Sequence, residues 1–107
     1  DIRHAMSSVL GDAFKYVWRD WDNLKDGPVS LKKAIWYLEH YLSLPQTITM
    51  LPTKKSEKAA AALEDSAYMQ DTILLWLYRA DMSSSARTSR KLVKRAIFYI
   101  KKRPGVV

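Results

Sequence analysis

The stretch "KAAAALEDSAYMQDTILLWLYRAD", residues 58–81, decides the fold. It opens on a run of alanines, the residue with the highest helix propensity. By "TILLWLY", residues 72–78, it has become apolar nearly all round. A helix of that kind sits in the centre of a bundle, because no face of it is suited to water. A break near Ser66 would divide the stretch in two, so the chain reads as four or five helices.

The segments on either side supply the cover. Met6, Val9, Leu10, Ala13, Phe14, Val17, Trp18, Trp21 and Leu24 lie along one apolar stripe. Their spacing predicts a first helix of about six turns, stopped by Asp26-Gly27-Pro28. Trp18, Trp21 and Trp76 fall on apolar faces and are expected in the core. Ser30 is a candidate cap for a second helix, with Leu31, Ala34, Ile35, Leu38, Tyr41 and Leu42 on its inner side and Pro45 at its end. The connector "LPQTITMLPTKK", residues 44–55, is compatible with a loose helical turn or an extended strap through Leu44, Ile48 and Leu51. Ser56 is the candidate cap of the helix that follows. Ser83-Ser84-Ser85 is a polar turn, and a last helix runs to about Arg103. No alternating pattern of useful length suggests a strand. The expected fold is all-α: one small helical bundle over residues 1–107 with a basic C-terminal helix. A chain that begins at Asp1 is what a domain excised from a longer protein shows.

Composition narrows the class. The 107 residues are 48% hydrophobic and 27% charged, in the range of folded globular domains. There is no cysteine, which removes disulfides and thiolate metal sites and fits an intracellular, cytoplasmic protein. The longest uncharged apolar run, Thr72 to Tyr78, is far short of a membrane span.

The net charge of +7 is unevenly placed. Residues 85–107 hold eight Lys/Arg and no acid, a charge of +8; the rest holds ten Lys/Arg against all eleven acids, a charge of −1. Such asymmetry points to an anionic partner. On a helical wheel, Leu92, Val93, Ala96, Ile97 and Ile100 cover an arc of roughly 140°. Arg87, Arg90, Lys91, Lys94, Arg95, Lys101 and Lys102 occupy a second arc on the far side, with Phe98 in its middle. Arg87/Lys91, Arg90/Lys94 and Lys91/Arg95 are like-charge i,i+4 pairs, each costing about 0.2–0.5 kcal/mol in an isolated helix. A face serving solubility alone mixes signs. The plain alternative is a solvated helix whose charge is met by Asp20, Asp22 and Asp26. On the second helix Trp36 projects away from the apolar face, among Lys32, Lys33 and His40. It is suited to stacking on a base, to anchoring a protein interface, or to packing under the connector.

Enzyme chemistry is sparse. His4 and His40 lie in different segments and match no metal-binding spacing. With three glycines the chain has no phosphate-cradling loop. "DWDNLKDG", residues 20–27, carries acids without calcium-loop spacing. Glu64, Asp65 and Asp71 could form a carboxylate group on one helix. No cofactor or metal is expected, and no independent catalytic activity.

Residues 72–97 follow the helix, turn, basic-helix order of a helix-turn-helix, but Arg87 stands where a buried apolar residue belongs. The layout of a small bundle ending in a basic helix looks like accessory DNA-binding domains of replication primases and mobilisation proteins. That is a likeness of layout and assigns no family. The leading expectation is a nucleic-acid-binding domain, DNA favoured over RNA. Phosphates would be held by the basic arc, and bases would stack on Phe98 and Trp36. Ser83, Ser84, Ser85, Thr88 and Ser89 at the helix start could add one phosphate contact. The alternative is a protein-interaction module docking an acidic partner, or another domain of the same chain, through the same helix. A membrane-surface role is disfavoured, because the apolar face is needed to close the bundle.

Overall fold

A computed structural model describes residues 2–45 and 49–106. After a short 3-10 turn at Ile2–Ala5, the chain forms α1 (Ser8–Asp20), α2 (Gly27–Ser43), α3 (Lys54–Glu64), α4 (Met69–Met82) and α5 (Ala86–Ile100). There is no strand among the described residues. The fold is the expected small all-α bundle, with five helices because the chain does break at Asp65–Tyr68. α1 packs on α2 and α4, and α5 packs on α4 and α2, so these four surround one core. α3 lies outside them, against α4 and the N-terminal turn.

The core takes the apolar side of each helix. Leu10, Ala13, Val17, Ala34, Leu38, Ile73, Leu77, Val93, Ala96 and Ile100 are fully buried. Burying each larger side chain contributes about 1.5–3 kcal/mol. Ser56 and Tyr78 are also buried, and each keeps a polar partner: their hydroxyls are 2.8 Å apart, and the Tyr78 hydroxyl donates to Glu57. Burial pushes the Tyr78 phenol above its ordinary value.

Several expected boundaries shift. α1 is shorter than six turns and stops at Asp20, where Gln70 of α4 donates from Nε2 to the Val17 and Trp18 carbonyls, 3.0 Å each. These are end carbonyls with no helical donor left to them. Leu24 therefore falls in the turn beyond the helix and is 94% exposed instead of joining the stripe. Asp26-Gly27-Pro28 starts α2 as much as it ends α1. Asp26 precedes the helix and Pro28 sits in its first turn, where a missing N–H costs nothing. Ser30 is thus inside α2 and is not its cap. Gly27 is required by proximity: a Cβ there would lie 2.6 Å from the Asp20 carbonyl oxygen.

Thr53, not Ser56, caps α3. Its hydroxyl accepts from the Ser56 N–H at 3.0 Å, and Ser56 Oγ accepts from the Thr53 N–H at 2.8 Å. This is a reciprocal box with a serine in place of the usual acid or amide. Trp18 is half in water, at 55% exposure, instead of in the core. It lines an apolar cavity of about 420 Å³ with Ile2, Phe14, Ala59, Leu63, Leu74 and the Asp71 carboxylate. Trp21 is buried and Trp76 half-buried. In the connector, Leu51 is exposed and Leu44 half-buried, while Ile48 lies outside the described residues.

Candidate nucleic-acid interface

α5 begins at Ser85, whose Oγ accepts from the Thr88 N–H at 3.2 Å. One side of the helix is pinned to the bundle by Val93, Ala96, Ile97 and Ile100. Ser89 belongs to that side too. It is buried and its hydroxyl donates to the Ala80 carbonyl at 2.6 Å, so it is not among the hydroxyls open to an anion, contrary to the reading of the helix start. With that face fixed, helical geometry turns Arg87, Lys91, Lys94, Arg95, Phe98, Lys101 and Lys102 outward, and all are exposed.

The strip has distinct edges and a centre. Toward α2, the half-buried Arg90 donates from Nη2 to the Leu42 carbonyl, 2.6 Å away at the C-terminal end of that helix. Arg90 thus fills a structural place as well as a place in the basic arc. Toward α4, the Arg95 guanidinium lies 5.3 Å from the centroid of the Trp76 ring. In the centre, Phe98 is 57% exposed, with the Lys102 ammonium 4.6 Å from its ring. Arg87, Arg90, Lys91 and Lys94 line an open cleft of about 580 Å³.

Asp22, one of the acids suggested as counterions, is engaged just beyond the strip. Arg103, just beyond α5, takes Asp22 at 3.6 Å. It also donates to the Trp21 carbonyl at 2.8 Å and covers the Trp21 ring at 4.5 Å. Among the described residues, none of the seven cations of the strip forms an ion pair within 4.0 Å. The strip keeps its like-charge repulsion, which an anion would relieve.

On α2, Trp36 is 60% exposed. Lys32, Lys33 and His40 are exposed beside it, and the His40 ring stacks on the indole at 5.4 Å with 7° between planes. α2 and α5 are neighbours: Arg90 reaches the last turn of α2, and Gly105 lies against Pro28 in its first turn. They therefore run antiparallel. At Gly105 the backbone has φ +80°, a conformation glycine adopts without a Cβ penalty, and the next residue, Val106, is buried.

The suggested carboxylate group does not assemble. Glu64 ends α3 and pairs with Arg79, Asp65 is in the turn, and Asp71 opens α4 and accepts from Ser66 Oγ at 2.6 Å. Two aromatic residues were missed. Tyr16 of α1 and Tyr37 of α2 stack at 6.1 Å, with Lys15, Arg19 and Lys33 around Tyr16. "KYVWR", residues 15–19, did carry a signal in its mixture of cations and rings. The partner ring, from another helix, did not show. No described helix is long and apolar enough to cross a membrane. Compared with known protein families, with curated proteins and with solved structures, the chain matches none.

Proposed function

We propose that this chain is a nucleic-acid-binding helical domain whose contact surface is the outer face of α5. The carrying observation is the set of exposed cations on and just beyond α5 (Arg87, Lys91, Lys94, Arg95, Lys101 and Lys102), none with an ion pair among the described residues. Arg and Lys in such a row contact phosphates and release condensed counterions, which supplies affinity without reading sequence. Phe98, exposed in the middle of the row, adds a ring on which a base or sugar can rest. Trp36 and Lys32 extend the surface onto α2. DNA is preferred to RNA on the likeness of layout to accessory domains of replication primases and mobilisation proteins.

Fluorescence anisotropy of labelled single- and double-stranded oligonucleotides, titrated across salt, tests this. Five to seven neutralised phosphates give a slope of log K against log salt of roughly −4.5 to −6.5 on duplex. Absence of binding at low salt overturns the proposal and leaves the strip as a docking surface for an acidic protein.

A further inference from the structure

Four rings form a connected series on the α1–α2 side. His40 stacks on Trp36, Trp36 meets Tyr37 edge to face at 5.1 Å, and Tyr37 stacks on Tyr16 at 6.1 Å with 22° between planes. Three cations converge on the last ring: Lys15 at 5.1 Å, Arg19 at 5.7 Å and Lys33 at 5.9 Å from its centroid. Asp12 lies 3.9 Å from Lys15, and neither Arg19 nor Lys33 has an ion pair among the described residues. Glu39 is the one carboxylate on α2. A core cluster would bury its rings. Here Trp36 and His40 are exposed, and Tyr16 and Tyr37 are half-buried.

We infer that this series is a second contact surface, taking the unpaired bases of single-stranded nucleic acid. The inference rests on the nucleic-acid reading of α5 and names its substrate class. Ring faces are of use only to bases whose own faces are open, and a duplex keeps its bases stacked inside. Every base has such a face, so a series of protein rings binds single strands with little regard to sequence. Position supports the link. α2, which carries three of the four rings, packs on both α1 and α5, so the ring series adjoins the helix that bears the basic strip. A strand crossing α2 at Trp36 has Lys15, Arg19 and Lys33 for its phosphates on one side. On the other lies α5 with its basic strip.

The test compares oligothymidine of about 12 nucleotides, within the span of one such surface, with a duplex of the same length. Wild-type protein is expected to bind the single strand more tightly at equal salt. Trp36→Ala should weaken single-strand binding roughly 5- to 150-fold, the loss for one stacked base. It should leave the urea midpoint unchanged, and Trp36→Phe should restore most of the loss. If duplex is bound as tightly as the single strand, or Trp36→Ala leaves oligothymidine affinity intact, the ring series is not a contact surface while the α5 reading stands. If neither oligonucleotide binds at low salt, both fall together.

Discussion

The Asp81 carboxylate accepts two hydrogen bonds from Ser7, one from the backbone N–H at 2.6 Å and one from the hydroxyl at 2.8 Å. Asp81 is fully buried near the end of α4, and Ser7 is the residue immediately before α1. The pair ties the start of the chain to the central helix across 74 residues. Burial drives the Asp81 carboxyl above its ordinary value, and the two Ser7 donors oppose that only in part.

The sign of the pH effect follows. A carboxyl raised in the folded state binds its proton more tightly there than in the unfolded chain. Its stabilising contribution is full below the unfolded value near 3.8 and is lost as pH rises through the folded value. Asp81→Asn keeps the shape and can satisfy both Ser7 groups without a charge. In urea melts, wild type is expected to lose stability relative to Asp81→Asn as pH is raised from about 3.5 to 7. Equal pH profiles would remove the buried charge from the account. Asp81→Ala leaves the Ser7 donors unpaired and should cost about 1–3 kcal/mol at low pH, and less as pH rises.

Replacing Arg87, Lys91 and Lys94 together with Ala separates binding from folding. All three are exposed, and the change relieves the Arg87/Lys91, Arg90/Lys94 and Lys91/Arg95 repulsions. The thermal midpoint should hold or rise slightly. Nucleic-acid affinity should fall, and the salt slope should drop by about two to three units. A folded triple variant with unchanged affinity would take the strip out of the mechanism.

Arg90 should behave differently from its neighbours. Its Nη2 closes the Leu42 carbonyl at the end of α2, a site its exposed neighbours do not reach. Arg90→Ala is expected to lower stability by about 1–3 kcal/mol, because a charged donor to a half-buried carbonyl is lost. Arg87→Ala should stay within about 0.5 kcal/mol of wild type. Denaturant unfolding of the two single variants distinguishes them.

Gly27→Ala tests the α1–α2 corner. The added methyl would meet the Asp20 carbonyl at 2.6 Å, backbone against Cβ, so the corner must open. The expected loss is about 1–3 kcal/mol, typical of overpacking a close contact. A midpoint equal to wild type would show that the corner yields freely.

What the chain determined by itself is what a single helix knows about its own axis. The inner faces of α2 and α5, the covered character of residues 72–78, the break near Ser66 and the outward row on α5 all follow from one residue's spacing to the next. Charge asymmetry is legible for the same reason, being a property of composition along the chain.

The tertiary structure decided whatever depends on which helix lies beside which. Trp18 and Trp21 share one stripe, yet Trp18 is 55% and Trp21 8% exposed: Trp18 borders an open pocket shared with α3 and α4, while the Arg103 guanidinium covers the Trp21 ring. Arg90 and Lys91 are adjacent and chemically alike, yet only Arg90 meets the end of α2. The stack of Tyr16 on Tyr37 and the bond between Asp81 and Ser7 join residues far apart in the chain. Periodicity reports the direction in which a side chain leaves its own helix. What it meets there is set by packing, which removes water from some edges and leaves others open.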